Sequence, residues 1–147
     1  MDDKNEVVVL EMTRDQALLV ENACELLARL HIGQFKTVTD MVLPIHGMEI
    51  DDYCRRRDNA NDALMLAAKI IFGRNCYDQP DVEKKDEEHN RAWNVYQVLR
   101  YTRSWHDYPD GVHWSVCFDQ PMKLLNEPLP KCEIVERNAT DGKTDKR

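Results

Sequence analysis

The chain has 147 residues, 42% of them hydrophobic and 32% charged, with a formal net charge of −7. That length suits one domain with a single core, and five Gly and six Pro argue against a disordered or fibrous chain. The negative balance excludes duplex DNA as a general partner, because such binding draws on counterion release by Lys and Arg. A small anion held by a local Arg cluster, or a basic protein surface, stays open.

Five cysteines, at 24, 54, 76, 117 and 132, are widely spaced and contain no C-x-x-C pair. This points to a reducing compartment and away from a disulfide framework or a zinc site. No stretch approaches the ~18 apolar residues that a membrane span needs. The opening MDDKNE lacks the basic and apolar segments of a signal peptide. A cytoplasmic protein that makes no membrane contact is expected.

In chain order, residues 6–12 (EVVVLEM) are short, β-branched and polar at both edges, which predicts a strand. Thr13, followed three residues later by Gln16, forms a capping box and starts a helix. Leu19, Val20, Ala23, Leu26, Leu27 and Leu30 then share an arc of roughly 120°, with Glu21, Asn22, Glu25 and Arg29 opposite. Gly33 is the natural stop, because it can take the left-handed conformation at C′.

A shorter helix over 34–43 is expected to bury Phe35, Val38 and Val42 and to end before Pro44. A third runs from residue 50 or 51 to 72, closed by Gly73. Its broad face holds Tyr53, Ala60, Ala63, Leu64, Ala67, Ala68, Ile70 and Ile71. In the run Arg55-Arg56-Arg57, Arg56 and Arg57 would extend that apolar face, so either the helix has a solvated start near Asp58 or this end faces a partner or an anion.

After a loop at 74–81, a fourth helix opens with a charged stretch (VEKKDEEHNR) and turns amphipathic through Ala92, Val95, Tyr96 and Leu99. It should end near Trp105, before the turn-forming HDYPDG. Residues 112–118 and 131–136 read as short strands, separated by the proline-held QPMKLLNEPLP. With 6–12 they would make one small sheet, packed on a helix or across a subunit interface, since so few strands are marginal alone. The predicted class is therefore α+β, mainly α, with about four helices and a small antiparallel β element. The globular domain spans 1–136, residues 137–147 form a polar tail, and the chain is expected to be a homo-oligomer.

The common chemical signatures are absent: no G-x-x-x-x-G-K-[ST], G-x-G-x-x-G, G-x-S-x-G or H-E-x-x-H occurs. Asp86-x-x-His89 and Asp110-x-x-His113 have helical spacing, yet one lies in a charged stretch and the other on a turn. Glu49-x-x-Asp52 and Glu83-x-x-Asp86 are fragments of the paired acidic motifs of all-α nucleotide pyrophosphatases, and solvated acidic faces explain them better. Neither a metal nor a cofactor is expected, and no residue is assigned a catalytic role.

The chemistry that remains is on the fourth helix. Trp93, Tyr96, Arg100 and Arg103 step by three and four along one stripe, and Arg103 falls near the centre of the apolar face. Trp105 and His106 follow closely. One reading is a pocket where aromatic rings stack a base and guanidiniums take phosphates. The other is a core edge where Arg stems cover aromatic faces. Gln34, at the start of the second helix, is a further candidate contact because helix N-termini favour anions.

Several segments carry a likeness: LEMTRDQA at 10–17, ARLHIGQF at 28–35, NVYQVLRY at 94–101, WSV at 114–116 and NEPLP at 126–130. Over roughly residues 7–130 the chain resembles a family of small phage and prophage proteins without assigned catalytic residues, so no residue role carries over. The resemblance implies an accessory factor acting on the host, such as a counter-defence protein that sequesters a nucleotide messenger. The leading expectation is non-catalytic binding of a small anionic, nucleotide-type ligand. The alternatives are a protein–protein inhibitor of a host factor working through an acidic surface, and a metal-dependent nucleotide hydrolase.

Overall fold

A computed structural model describes residues 8–73, 86–111 and 120–135 of the chain. Four helices carry it: α1 (Arg14–His31), α2 (Lys36–Val42), α3 (Ile50–Phe72) and α4 (Glu87–Asp107). Among the described residues there is no strand, so the fold there is all-helical. No described helix is long and apolar enough to cross a membrane.

Local chemistry sets the helix ends. The Thr13 hydroxyl accepts the Gln16 backbone N–H at 3.2 Å, and the Gln16 side-chain oxygen accepts the Thr13 N–H at 2.9 Å. This is the reciprocal cap that the spacing predicts. At the other end Gly33, at φ 83°, turns the chain so that the Gln34 N–H reaches the Arg29 carbonyl at 2.9 Å. Gly73 closes α3 in the same left-handed region, at φ 68°. The second helix is shorter than 34–43, and Val42 on it is exposed. Phe35 lies just before α2 and meets the edge of Phe72 from α3, with centroids 6.0 Å apart.

The expected β element is not found in the described segments. Residues 8–13 carry no ladder, and Val8 and Val9 stand 90% and 84% exposed. Residues 131–135 are likewise irregular. A β-branched run gains from strand geometry only when a neighbouring strand takes its hydrogen bonds, and neither segment has one among the described residues. The predicted strand 112–118, the loop 74–81 and the tail 137–147 lie outside the described residues.

The main packing is α1 against α4, with α2 bridging from α1 to α3. The face α1 turns to α4 is not the leucine arc expected from the wheel. Glu21 is 4% exposed and Ala28 fully buried, whereas Leu19 is 68% exposed and Ala23 and Leu27 are exposed as well. The cause lies on α4, whose buried side is polar: His89, Asn90, Asn94, Gln97 and Ser104 accompany Ala92, Tyr96 and Val98. Where this helix faces α1, its buried donors need acceptors across the seam. Arg103 donates to Glu21 through Nε at 3.0 Å and Nη2 at 2.8 Å, a two-pronged pair. The His89 ring nitrogen Nδ1 lies 2.7 Å from the Ala28 carbonyl oxygen and donates to it.

Both ends of the seam are clamped. Arg14 pairs with Asp107 at one end, and at the other His31 Nδ1 lies 2.8 Å from Asp86. On the far side of α4, Asn94 Oδ1 accepts the Leu124 N–H at 3.0 Å, and Arg91 pairs with Glu127. All three arginines 55–57 lie inside α3, where Asp52 takes Arg55 and Arg56 and Asp58 takes Arg57. A helix start near Asp58 is therefore excluded, and this surface is a solvated ion-pair network.

Two tests follow. Arg103→Ala leaves a buried carboxylate unpaired and is expected to lower stability by about 3 kcal/mol, read from urea unfolding. Replacing both partners with leucine should recover most of that loss. The second test concerns Asp86, whose carboxyl is held below the usual carboxylate range first by the His89 backbone N–H and then by His31. A group depressed in the folded state stabilises the fold above its unfolded value, and that contribution fades as pH falls through the lowered value. Melting temperature followed below about pH 4 should fall less steeply in Asp86→Asn, which keeps the cap and drops the charge.

Candidate functional site

The stripe Trp93–Tyr96–Arg100 forms as spaced, on the edge of α4 that meets the C-terminal half of α1. The Trp93 and Tyr96 rings are tilted by 51° with centroids 5.0 Å apart. Arg100 stands 5.7 Å over the Tyr96 ring and donates from Nη1 to the phenol oxygen at 2.9 Å. Tyr96 is buried and Trp93 half-buried, so the indole is the ring surface of the pair that solvent can reach.

The wheel put Arg29 on the solvent side of α1, away from any site. It stands instead 6.0 Å over the Trp93 ring. Three hydrogen bonds fix it: Nε and Nη2 to Glu25 Oε1 at 3.0 and 2.7 Å, and Nη1 to Gln34 Oε1 at 2.9 Å. Gln34 thereby joins the cluster through its side chain, not through the N-terminus of α2. The His89 ring lies nearly parallel to Trp93, 11° off with centroids 6.3 Å apart. The Glu25–Arg29 spacing of four was a usable signal for this pair. Nothing local points to the contact of Arg29 with Trp93, which spans the two helices.

The other expected contacts are placed elsewhere. Arg103 is committed to Glu21, which accounts for a guanidinium at the centre of the apolar face. Trp105 lies tilted against Tyr101, centroids 6.2 Å apart, and its indole nitrogen is buried with no hydrogen-bond partner among the described residues. His106 is exposed, 3.3 Å from Asp107, at the far end of α4. Asp86-x-x-His89 resolves into a helix cap, with Asp86 accepting the His89 N–H at 2.7 Å. Among the described residues no three His, Cys, Asp or Glu side chains gather around a common metal position. Glu83 and His113, the other halves of two expected motifs, lie outside the described residues.

The cluster thus gathers the Arg29 and Arg100 guanidiniums and the Glu25 carboxylate around a half-exposed indole. Aromatic faces stack planar rings, and guanidiniums held over such faces take carboxylate or phosphate oxygens. Nothing in the cluster is placed as a nucleophile or a proton-transfer pair.

Burial pushes the Tyr96 phenol above its ordinary value, Glu25 adds to the rise, and Arg100 opposes it. A raised phenol favours the neutral form in the fold, so its contribution is complete below the unfolded value and is lost as pH rises through the folded one. Arg100→Ala removes the opposing pull. Tyr96 should then ionise at still higher pH, measured by ultraviolet titration against Tyr96→Phe; an unchanged or lower value would mean that Arg100 does not face the phenol.

No protein-family model, curated protein or solved structure matches this chain.

Proposed function

We propose that the chain is a non-catalytic binding protein for a small anionic ligand of nucleotide type, seated on Trp93 between Arg29 and Arg100. One observation carries this reading: two guanidiniums from different helices are held by hydrogen bonds over adjacent aromatic rings, 6.0 and 5.7 Å from their centroids. The half-buried indole takes the base, the guanidiniums take the phosphates, and the Gln34 amide reads a polar edge. Tyr96 packs beside the indole, ring centroids 5.0 Å apart. Arg103 holds α1 and α4 together and so positions Arg29 without touching ligand, while Trp105 lies against Tyr101 and His106 beside Asp107.

With the likeness to small phage proteins, the role that fits is sequestration: a counter-defence factor in the host cytoplasm that removes a nucleotide messenger from circulation. Sequestration needs affinity and no turnover, which suits a cluster without a nucleophile.

A thermal-shift screen against cyclic and linear nucleotides, with and without divalent metal, tests the proposal. A ligand at 100 times its Kd stabilises by about 2.7 kcal/mol. The expected result is a shift for one nucleotide class, recovery of the ligand intact, and loss of the shift in Arg29→Ala and Arg100→Ala variants that remain folded. Recovery of cleaved ligand would make the protein a hydrolase, and silence across the panel would direct the search to a host protein bound through the acidic surface.

A further inference from the structure

Among the described elements, α3 packs on α2 alone. Its 23 residues span about 35 Å, and the seven residues of α2 cover a fraction of that length. Helices gain their stability mainly by burying an amphipathic face, so the opposite side of α3 decides whether it is complete within one chain. On that side Asn59, Ala63, Leu66 and Ile70 recur at steps of four, three and four, the spacing of a two-helix seam. All four are exposed, Leu66 by 61% and Ile70 by 74%.

The charges beside this row select its partner. Asp62 and Lys69 are seven residues apart, both exposed, and flank the seam on the same edge. When two such helices run antiparallel about a two-fold axis, residues at this flanking position face each other across the seam. Asp62 of each copy then meets Lys69 of the other, and both pairs form at once. A parallel arrangement sets the two Asp62 side chains at the same level, and neither reaches a lysine. A chain with a net charge of −7 repels its own kind at long range, so self-association needs an apolar seam edged by matched charges, which is what α3 presents.

We propose that α3 is a self-association helix: two copies of the chain pair antiparallel through Ala63, Leu66 and Ile70, bracketed by reciprocal Asp62–Lys69 ion pairs. The seam faces away from α2, and its residues are separate from the Trp93 cluster, so it stands or falls independently of ligand binding.

Sedimentation of the full chain over a micromolar range tests this. The expected result is a concentration-dependent dimer. Asp62→Lys and Lys69→Asp should each weaken association by about tenfold without changing the circular dichroism, and the two together in one chain should restore it. Leu66→Ser with Ile70→Ser should give a monomer. The proposal is overturned by a wild-type chain that stays monomeric, by a dimer indifferent to these changes, or by one dissolved by Leu19→Ser with Leu27→Ser instead.

Discussion

The pairing of Glu21 with Arg103 is the constraint on which the rest of the structure depends. A carboxylate 4% exposed is tolerated only with a partner that takes both oxygens, and Arg103 supplies one from α4. The bond fixes which face of α1 meets α4. With Glu21 inward, Ala28 lies under His89 and its carbonyl accepts the imidazole. One helical turn of α1 around Glu25 and Arg29 is then carried to Trp93. The polar residues of α4 that face α1 thus shape the packing: His89 and Arg103 pair with a face that offers the Ala28 carbonyl and the Glu21 carboxylate.

The site inherits this geometry. Arg29 reaches the indole because α1 is turned by the Glu21 pair, and it keeps its orientation because each of its three guanidinium nitrogens donates to Glu25 or Gln34. Arg100 is held by a residue four positions earlier on its own helix. The outward consequence is equally direct. With its polar face turned in, α1 shows Leu19 and Leu27 to solvent, and α3 shows Leu66 and Ile70. Apolar surface that most single domains bury within themselves is thus exposed on both helices.

Features resting on local chemistry were legible in the sequence. The Thr13–Gln16 cap, the turns at Gly33 and Gly73, and the stripe from Trp93 to Arg100 depend on neighbours within four residues, and spacing reveals them. The facing of α1 was not legible, because a helical wheel weighs apolarity and cannot see Arg103, 82 residues away. For the same reason Arg103 looked like a ligand contact and Arg29 like a solvent residue, when the fold assigns them nearly opposite places. The run at 8–12 has the composition of a strand, yet strand formation depends on a neighbour that composition does not specify.

Native-state hydrogen exchange tests most directly whether the α1–α4 seam is the centre of stability. Amides open with free energies that range from near zero to the global value, and the most protected ones mark the core. The account predicts that α4, from Ala92 to Ser104, and the facing half of α1 exchange slowest at every protein concentration, with α3 protected only where the chain self-associates. Slowest exchange in α3 at high dilution, with α1 and α4 opening freely, would contradict it.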